Sequence, residues 1–299
     1  MSNLSPIALF VYNRPDHTRR TVEALRKNEL SNESNLIIFS DAAKSSKDNK
    51  AVCEVREYID SVDGFKTVKI IERDVNYGLA RSIIEGVSSL CSSYGKVIVL
   101  EDDLVTSPYF LTYMNDALNT YQDNEAVMHI SGYMLPIDTT NLEETFFLRN
   151  SSCWGWATWD RSWKYFRKEP KKLIGEYTRS MIRHFNMDGY YDFWSHVLLN
   201  ENGLINTWAI FWYASIHKQK GLCLHPASSM VNNIGHDGSG VNCEENNLYN
   251  AKIAQNKITY FENTISESDV ALKRSKKFLR RAGAPLYRRI LSSIKRRIF

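Results

Sequence analysis

One short stretch, residues 96–103, restricts the fold more than any other part of the sequence. Residues 97–100 are four consecutive apolar residues, typical of a strand buried on both faces. Three adjacent carboxylates follow, at residues 101–103. They would repel one another and lose solvation at a buried strand end, so a divalent cation beside them explains the triplet. The alternative explanation is a solvated acidic turn that caps the next helix.

The first half of the chain alternates between strand and helix patterns. We predict strands at 7–12, 36–39, 67–71 and 97–100, with helices at 16–27, 48–59 and 78–92. This alternation indicates right-handed βαβ units and a mainly parallel sheet. Each predicted strand ends in polar residues, and the carboxyl ends of parallel strands meet at one edge of a sheet. We therefore expect a ligand site at that edge.

The second half is less regular. We predict strands at 126–130, 146–148 and 222–226, with helices at 108–121, 171–185, 190–200 and 207–218. The stretch 231–243 is rich in Gly, Asn and Ser, and we expect it to be a mobile loop. The predicted fold is α/β, a mainly parallel mixed sheet flanked by helices, with a C-terminal helical extension.

The predicted domains follow from these patterns. Residues 1–265 form one α/β domain, with a regular half at 1–130 and a less regular half at 131–265. Residues 266–299 form a basic, amphipathic helical tail. From residue 269 onwards there are 11 Lys or Arg and one acid, which leaves 27 basic and 33 acidic residues in the body. This asymmetry, with apolar residues recurring every four positions from Leu286, favours binding to an anionic membrane surface.

The cysteines and the N-terminus bear on the compartment. The five cysteines include no CxxC pair, which favours a reducing compartment over a zinc site or a disulfide framework. The N-terminal apolar run is short and is predicted to be a strand rather than a signal peptide. No stretch approaches the roughly 18 apolar residues of a membrane span. We expect a cytoplasmic protein, peripheral on the cytoplasmic face of the inner membrane, with no nucleic-acid partner.

Five motifs in a fixed order carry a family resemblance. They are Tyr-Asn-Arg-Pro at 12–15, Ser-Asp at 40–41, Asn-Tyr-Gly-Leu-Ala-Arg at 76–81, Glu-Asp-Asp at 101–103 and Trp-Gly-Trp-Ala at 154–157. Together they resemble the GT-A-fold glycosyltransferases, over roughly residues 6–240. Within that fold, the chain is similar to the bacterial family 2 enzymes and to the N-acetylglucosaminyltransferase I type.

The resemblance implies a nucleotide-sugar donor, with UDP-sugar the first choice, bound by the half 1–130, and an acceptor bound by the half 131–265. Asp41 would contact the base, while Arg14 and the helix that starts near Asn76 would contact the diphosphate, a charge arrangement that favours phosphate. Each of these residues also has an ordinary structural explanation as a cap, a turn or a surface side chain. The further residues expected to bind substrate are Asn13, Arg81, Glu101, Asp102, Trp154 and Trp156.

For the metal, Mn²⁺ or Mg²⁺, the resemblance implies Asp103 as the ligand. His236, in the Gly-rich loop, is a second candidate ligand, although a lone His is more often structural. The two tryptophans would stack on acceptor sugar, or else pack in the core. The loop would close over the donor.

An inverting transfer needs a general base. The relatives carry an acid near the position of Trp212, and this sequence has none there. Asp192 is the favoured replacement, and a helix cap is its alternative explanation. Asp188 lies just before it in the sequence, and Asp237, in the Gly-rich loop, is another candidate.

The predicted function is transfer of a sugar from a nucleotide donor to a lipid-linked or oligosaccharide acceptor, with metal and inversion, in the assembly of bacterial surface polysaccharide such as O-antigen or capsule. Two other functions are considered. A sugar-phosphate nucleotidyltransferase would need a Gly-rich loop after the first strand, and residues 12–15 contain no Gly. A carbohydrate-binding protein without transferase activity is the other alternative, because the acid that usually acts as base is missing near Trp212.

Overall fold

The computed structural model describes residues 4–237 and 248–282. Within these residues the strands are β1 (Ile7–Val11), β2 (Asn35–Ser40), β3 (Thr67–Glu72), β4 (Lys96–Glu101), β5 (Leu104–Thr106), β6 (Val127–Ser131), β7 (Thr145–Leu148), β8 (Trp156–Trp159), β9 (Leu222–Pro226) and β10 (Val231–Asn233). The helices are α1 (Pro15–Arg26), α2 (Asn49–Asp60), α3 (Gly78–Tyr94), α4 (Phe110–Thr120), α5 (Asp160–Trp163), α6 (Pro170–Glu176), α7 (Arg179–Phe185), α8 (Trp194–Glu201), α9 (Ala209–Lys218) and α10 (Asp269–Ala282).

Eight strands form a mixed sheet in the order β3-β2-β1-β4-β8-β6-β9-β7. The pairs β3-β2, β2-β1 and β1-β4 are parallel, as the alternating pattern predicted. β8 is antiparallel to both of its neighbours, β4 and β6, and β7 is antiparallel to β9. The α/β class with a mixed sheet flanked by helices is thus confirmed.

Helices cover both faces of the sheet. Alternate residues of β1 point to opposite faces, so that Leu9 joins one core layer and Phe10 the other. Phe10 stacks on Phe39 of β2, with 4.8 Å between ring centroids. α3, which packs against this stacked pair, ends where Gly95 adopts a left-handed conformation (φ 75°) and its N–H bonds Cys91 O. Strand β4 is therefore buried on both faces, as residues 97–100 predicted.

The structure adds three strands to the prediction. β8 contains part of the tryptophan motif that was expected to contact sugar. Its Trp156 and Trp159 point into opposite core layers. β5 and β10 pair antiparallel as a separate two-stranded sheet, so residues 231–233 are strand and not mobile loop. The predicted helix over 171–185 is two helices, α6 and α7, and Thr178 caps the second through its hydroxyl.

The C-terminal helix α10 is part of the folded body. Its Leu272 and Leu279 are buried with Leu148 of β7 and Met134. Arg149, just after β7, donates to both carboxylate oxygens of Glu267 before the helix. The apolar repeat from residue 286 lies outside the described residues. Within the described residues, no helix combines the length and apolar character required to cross a membrane.

Candidate functional site

The carboxyl ends of β1 and β4, neighbours in the sheet, form the centre of the candidate site. The backbone N–H of Tyr12, after β1, donates to Asp102 Oδ2 at 3.4 Å. Thr21 of α1 holds the acidic turn from the other side: its hydroxyl donates to Asp102 O at 2.8 Å and accepts from the N–H of Leu104 at 3.1 Å. The acidic turn is therefore fixed by helix α1, a contact that the sequence did not indicate.

The acids of this turn are buried and crowded. The side chains of Asp102 and Asp103 are only 6% and 10% exposed. Burial, with the charges of Asp103 and Asp102, raises the pKa of Glu101 to about 8. Burial also raises the pKa of Asp102 to about 6, although Arg14 opposes the rise. Negative charge is thus costly here, and a cation stabilises the site.

Arg14 supplies a cation in the structure. Its Nη2 donates to Asp102 Oδ1 and, at 2.9 Å, to Asp103 Oδ2. Burial alone would lower the pKa of Arg14, but the charges of the two carboxylates outweigh burial and raise it above its ordinary value. The sequence predicted that Arg14 would bind a donor phosphate. In the structure it contacts Asp103, the predicted metal ligand, and Asp102, a predicted substrate-binding residue.

The chemistry of these donors fits a hard divalent cation. Asp102 and Asp103 present carboxylate oxygens, the ligand type that Mg²⁺ and Mn²⁺ take, and both already hold a cationic group. Two carboxylates are an incomplete site: among the described residues, no group of three His, Cys, Asp or Glu side chains is placed to hold a metal. The other positions of the coordination shell would belong to substrate oxygens and water.

The segment after β10 covers the acid cluster, which consists of residues 101–103. The N–H of Ile234 donates to Asp103 O at 2.8 Å, and Gly235 packs so closely that a Cβ there would lie 2.3 Å from Asp103 Oδ2. Only glycine fits this approach. His236 follows, with its ring 5.2 Å from that of Trp154, and Asp237 pairs with His17 of α1 at 3.1 Å. Residues 238–243 of the predicted loop lie outside the described residues.

Asp41, after β2, organises the second part of the site. Its carboxylate accepts from the backbone N–H groups of Ala42, Tyr77 and Gly78, and from Asn76 Nδ2, at 2.8–3.1 Å. These four bonds use the four acceptor positions of a carboxylate. Asp41 and Asn76 therefore hold the loop that opens α3, which was the alternative explanation for Asp41, and the predicted base contact would have to replace one of these bonds.

Tyr77 in this loop lies between two arginines. The guanidinium groups of Arg81 and Arg73 lie 3.7 and 4.5 Å from its ring centroid. Arg81 also pairs with Glu85 at 2.7 Å. Arg73 was not predicted to be a site residue, and its position directly after β3 was the available signal. A surface cleft of about 390 Å³ adjoins the loop, lined by Ala42, Ala43, Asn49, Val52, Cys53, Arg56, Arg73 and Asp74.

Three other predicted site residues have mainly structural contacts. Trp156 is fully buried and stacks on Trp208, so the prediction that it stacks on acceptor sugar is wrong. Asn13 donates to Asp48 at 3.0 Å, which ties the end of β1 to the start of α2. Asp192 is exposed and accepts from the N–H of Ser195, in the first turn of α8, at 3.2 Å. Trp154, by contrast, is only partly buried and contacts His236 beside the acid cluster.

Comparison with known proteins finds similarity at the level of structure. No family model matches the chain, and a search of curated proteins found no match. Similar solved chains include S. aureus TarS 1–349 in complex with UDP (10% identity, TM-score 0.31), which aligns over 42% of this chain and 34% of that one. A second S. aureus TarS structure aligns over 47% and 24% (13%, 0.32). The mannosyltransferase PcManGT from Pyrobaculum calidifontis, in complex with GDP-Man and Mn²⁺, aligns over 74% and 72% (9%, 0.36).

The aligned part of this chain thus spans about a third and a quarter of the two TarS chains. Similarity this low does not decide function, so the functional proposal rests on the chemistry of the site.

Proposed function

We propose that this chain is a glycosyltransferase that moves a sugar from a nucleotide-sugar donor, a UDP-sugar by first choice, to a glycan acceptor. One observation carries the proposal: a buried acid pair, a partly buried arginine and the covering segment 234–237 converge at the carboxyl ends of two parallel strands. Ligands of open α/β sheets bind at this edge. The five ordered motifs, which resemble those of GT-A-fold glycosyltransferases, suggest sugar transfer as the reaction.

The proposed donor site extends from the acid cluster to the loop at Asp41. The N-terminus of α3, opened by residues 76–78, presents a positive dipole end that favours a diphosphate. Arg14 lies beside the acid pair and adds positive charge. A divalent cation on Asp103 would supply Lewis-acid stabilisation of the departing nucleoside diphosphate. His236 remains a proposed second ligand.

The proposed reaction is inversion. The acceptor hydroxyl oxygen bonds to the anomeric carbon, the bond from that carbon to the diphosphate breaks with its electron pair, and a carboxylate takes the hydroxyl proton. The position of Asp237, two residues after the glycine that covers Asp103, favours it as this base over Asp192, whose carboxylate accepts from the first turn of α8. Trp154 contributes a partly exposed ring for acceptor sugar.

Ligand-dependent stability tests this function. UDP, GDP and UDP-sugars, each with and without Mn²⁺, are added to the full chain and unfolding is followed by calorimetry. A nucleotide at about 100 times its dissociation constant should stabilise by roughly 2.7 kcal/mol. Asp103→Asn should remove the gain that depends on Mn²⁺, and exposed Asp123→Asn is the matched control. If none of these nucleotides stabilises the chain, transfer from a uridine or guanosine nucleotide donor is excluded. If the chain binds donor but neither hydrolyses nor transfers it, it is a carbohydrate-binding protein.

For localisation, we propose that the basic C-terminal region binds anionic lipid at the cytoplasmic face of the inner membrane, where a lipid-linked acceptor of surface polysaccharide would lie. Two basic side chains of α10 form contacts within the folded body: Lys276 pairs with Asp188, and Arg274 donates to Asp138 O. The exposed basic face carries four further residues, which form no ion pair within the described part of the chain: Lys273, Lys277, Arg280 and Arg281.

Vesicle binding tests this localisation. The four residues of the basic face are replaced by Gln in the full chain. The control replaces four exposed lysines elsewhere with the same loss of charge: Lys27, Lys47, Lys66 and Lys69. Sedimentation with phosphatidylglycerol vesicles should weaken for the first variant only, since each basic residue near such a surface contributes about 1 kcal/mol. Equal weakening in both variants would contradict a specific basic face.

A further inference from the structure

The contacts of Arg14 bear on how a cation enters the site, an inference that rests on the proposed function. One guanidinium nitrogen of Arg14 bridges Asp102 and Asp103. The bridge therefore occupies oxygens of both carboxylates that a divalent cation would require. Arg14 and a metal ion are competitors for the same oxygens.

The backbone of Arg14 is fixed, whereas its side chain has another partner available. Arg14 O accepts from the N–H and from the hydroxyl of Thr18, each at 2.9 Å, and Pro15 begins α1. Movement is thus restricted to the side chain. A diphosphate arriving at this edge of the sheet presents pairs of anionic oxygens, which the planar guanidinium can bind in a bidentate way.

Local charge also determines the order in which the divalent cation and the nucleotide bind. Arg14 offsets one of the two Asp charges. Adding a divalent cation without nucleotide would place two cationic groups side by side, at a site closed over by Gly235. Adding it together with a diphosphate supplies the negative charge that both cationic groups need.

We propose that the Arg14 guanidinium takes the place of the metal cation until nucleotide binds. It holds Asp102 and Asp103 while no nucleotide is bound, and it releases Asp103 to a divalent cation when it turns to the diphosphate of the donor. Arg14 therefore makes metal binding depend on nucleotide, and it acts as a positioning residue for the acid pair before it contacts substrate.

Metal titration without substrate tests this role. Binding of Mn²⁺ to the full chain is measured by electron paramagnetic resonance, with no nucleotide present. Arg14→Gln removes the competing charge, so we expect it to bind Mn²⁺ about tenfold more tightly than wild type, roughly 1.4 kcal/mol. Arg20→Gln, an exposed arginine on the same helix, is the matched control and should bind as wild type does. UDP should tighten Mn²⁺ binding in wild type more than in Arg14→Gln.

Arg14→Lys keeps the charge and covers the case in which Arg14→Gln does not fold, as judged by its melting curve. Lysine has one compact ammonium group in place of the guanidinium fork, so an intermediate gain of about threefold is expected. If the folded variants bind Mn²⁺ no more tightly than wild type, Arg14 does not compete with the metal and the proposal is wrong. Because the titration without UDP contains no nucleotide, its result is independent of whether the chain transfers sugar.

Discussion

At the scale of single residues, burial separates two tryptophans that look alike in the sequence. Trp154 and Trp156 flank one glycine, and both were predicted to stack on sugar. Trp156 lies on β8, with no exposed surface, against His129 and Trp208. Trp154 lies before the strand, where its ring contacts Tyr133 and His236. Only Trp154 is placed to contact a ligand.

These positions predict opposite phenotypes for two alanine variants. Trp156→Ala removes a fully buried ring and should cost about 3–5 kcal/mol of unfolding free energy. Trp154→Ala should cost much less, because part of its ring is solvated, and should weaken acceptor binding instead. Urea unfolding and acceptor titration measure the two effects. A stable Trp156→Ala protein that binds acceptor poorly would reverse this assignment.

At the scale of elements, strand β9 carries a buried histidine between two neighbouring strands. His225 Nε2 lies 2.8 Å from Asn150 O. Burial lowers the pKa of His225 from 6.5 to about 4. The folded protein therefore keeps this ring neutral at a pH where the unfolded chain binds a proton. Its stabilising contribution is complete above pH 6.5 and is lost as the pH falls towards 4.

A variant isolates this contribution from those of other titrating groups. Between pH 6 and pH 4.5, the unfolding free energy of wild type should fall more steeply than that of His225→Gln, by about 1.4 kcal/mol per pH unit. Urea unfolding at several pH values gives both slopes. Parallel slopes would show that His225 titrates alike in the folded and unfolded chains.

At the scale of the whole molecule, the C-terminal region divides into two parts. Helix α10 closes over β7 through buried leucines and the Arg149–Glu267 ion pair, and is part of the body. The sequence had placed residues 266–299 in a single tail. The basic face proposed to bind lipid is therefore attached to a fixed surface of the folded body.

This packing predicts that the body needs α10 for stability. In the full chain, Leu279→Ala should cost about 2–5 kcal/mol, because it leaves a cavity beneath the helix. Val270→Ala, on the exposed face of the same helix, should change stability by less than about 0.5 kcal/mol. Deleting residues 269–299 should then destabilise the protein by at least as much as Leu279→Ala. If Leu279→Ala and Val270→Ala were equally mild, α10 would be only loosely docked.

The sequence by itself determined the regular elements of the first half and the place of the acid triplet. Apolar periodicity depends on neighbours along the chain, so β1 to β4 and the helices between them were predicted correctly. The tertiary structure decided which polar groups meet. The bridge from Arg14 to Asp103 spans 89 positions, and the four bonds of Asp41 include three to residues 76–78. It also decided that Trp156 is core, because burial depends on strands and helices that are distant in sequence.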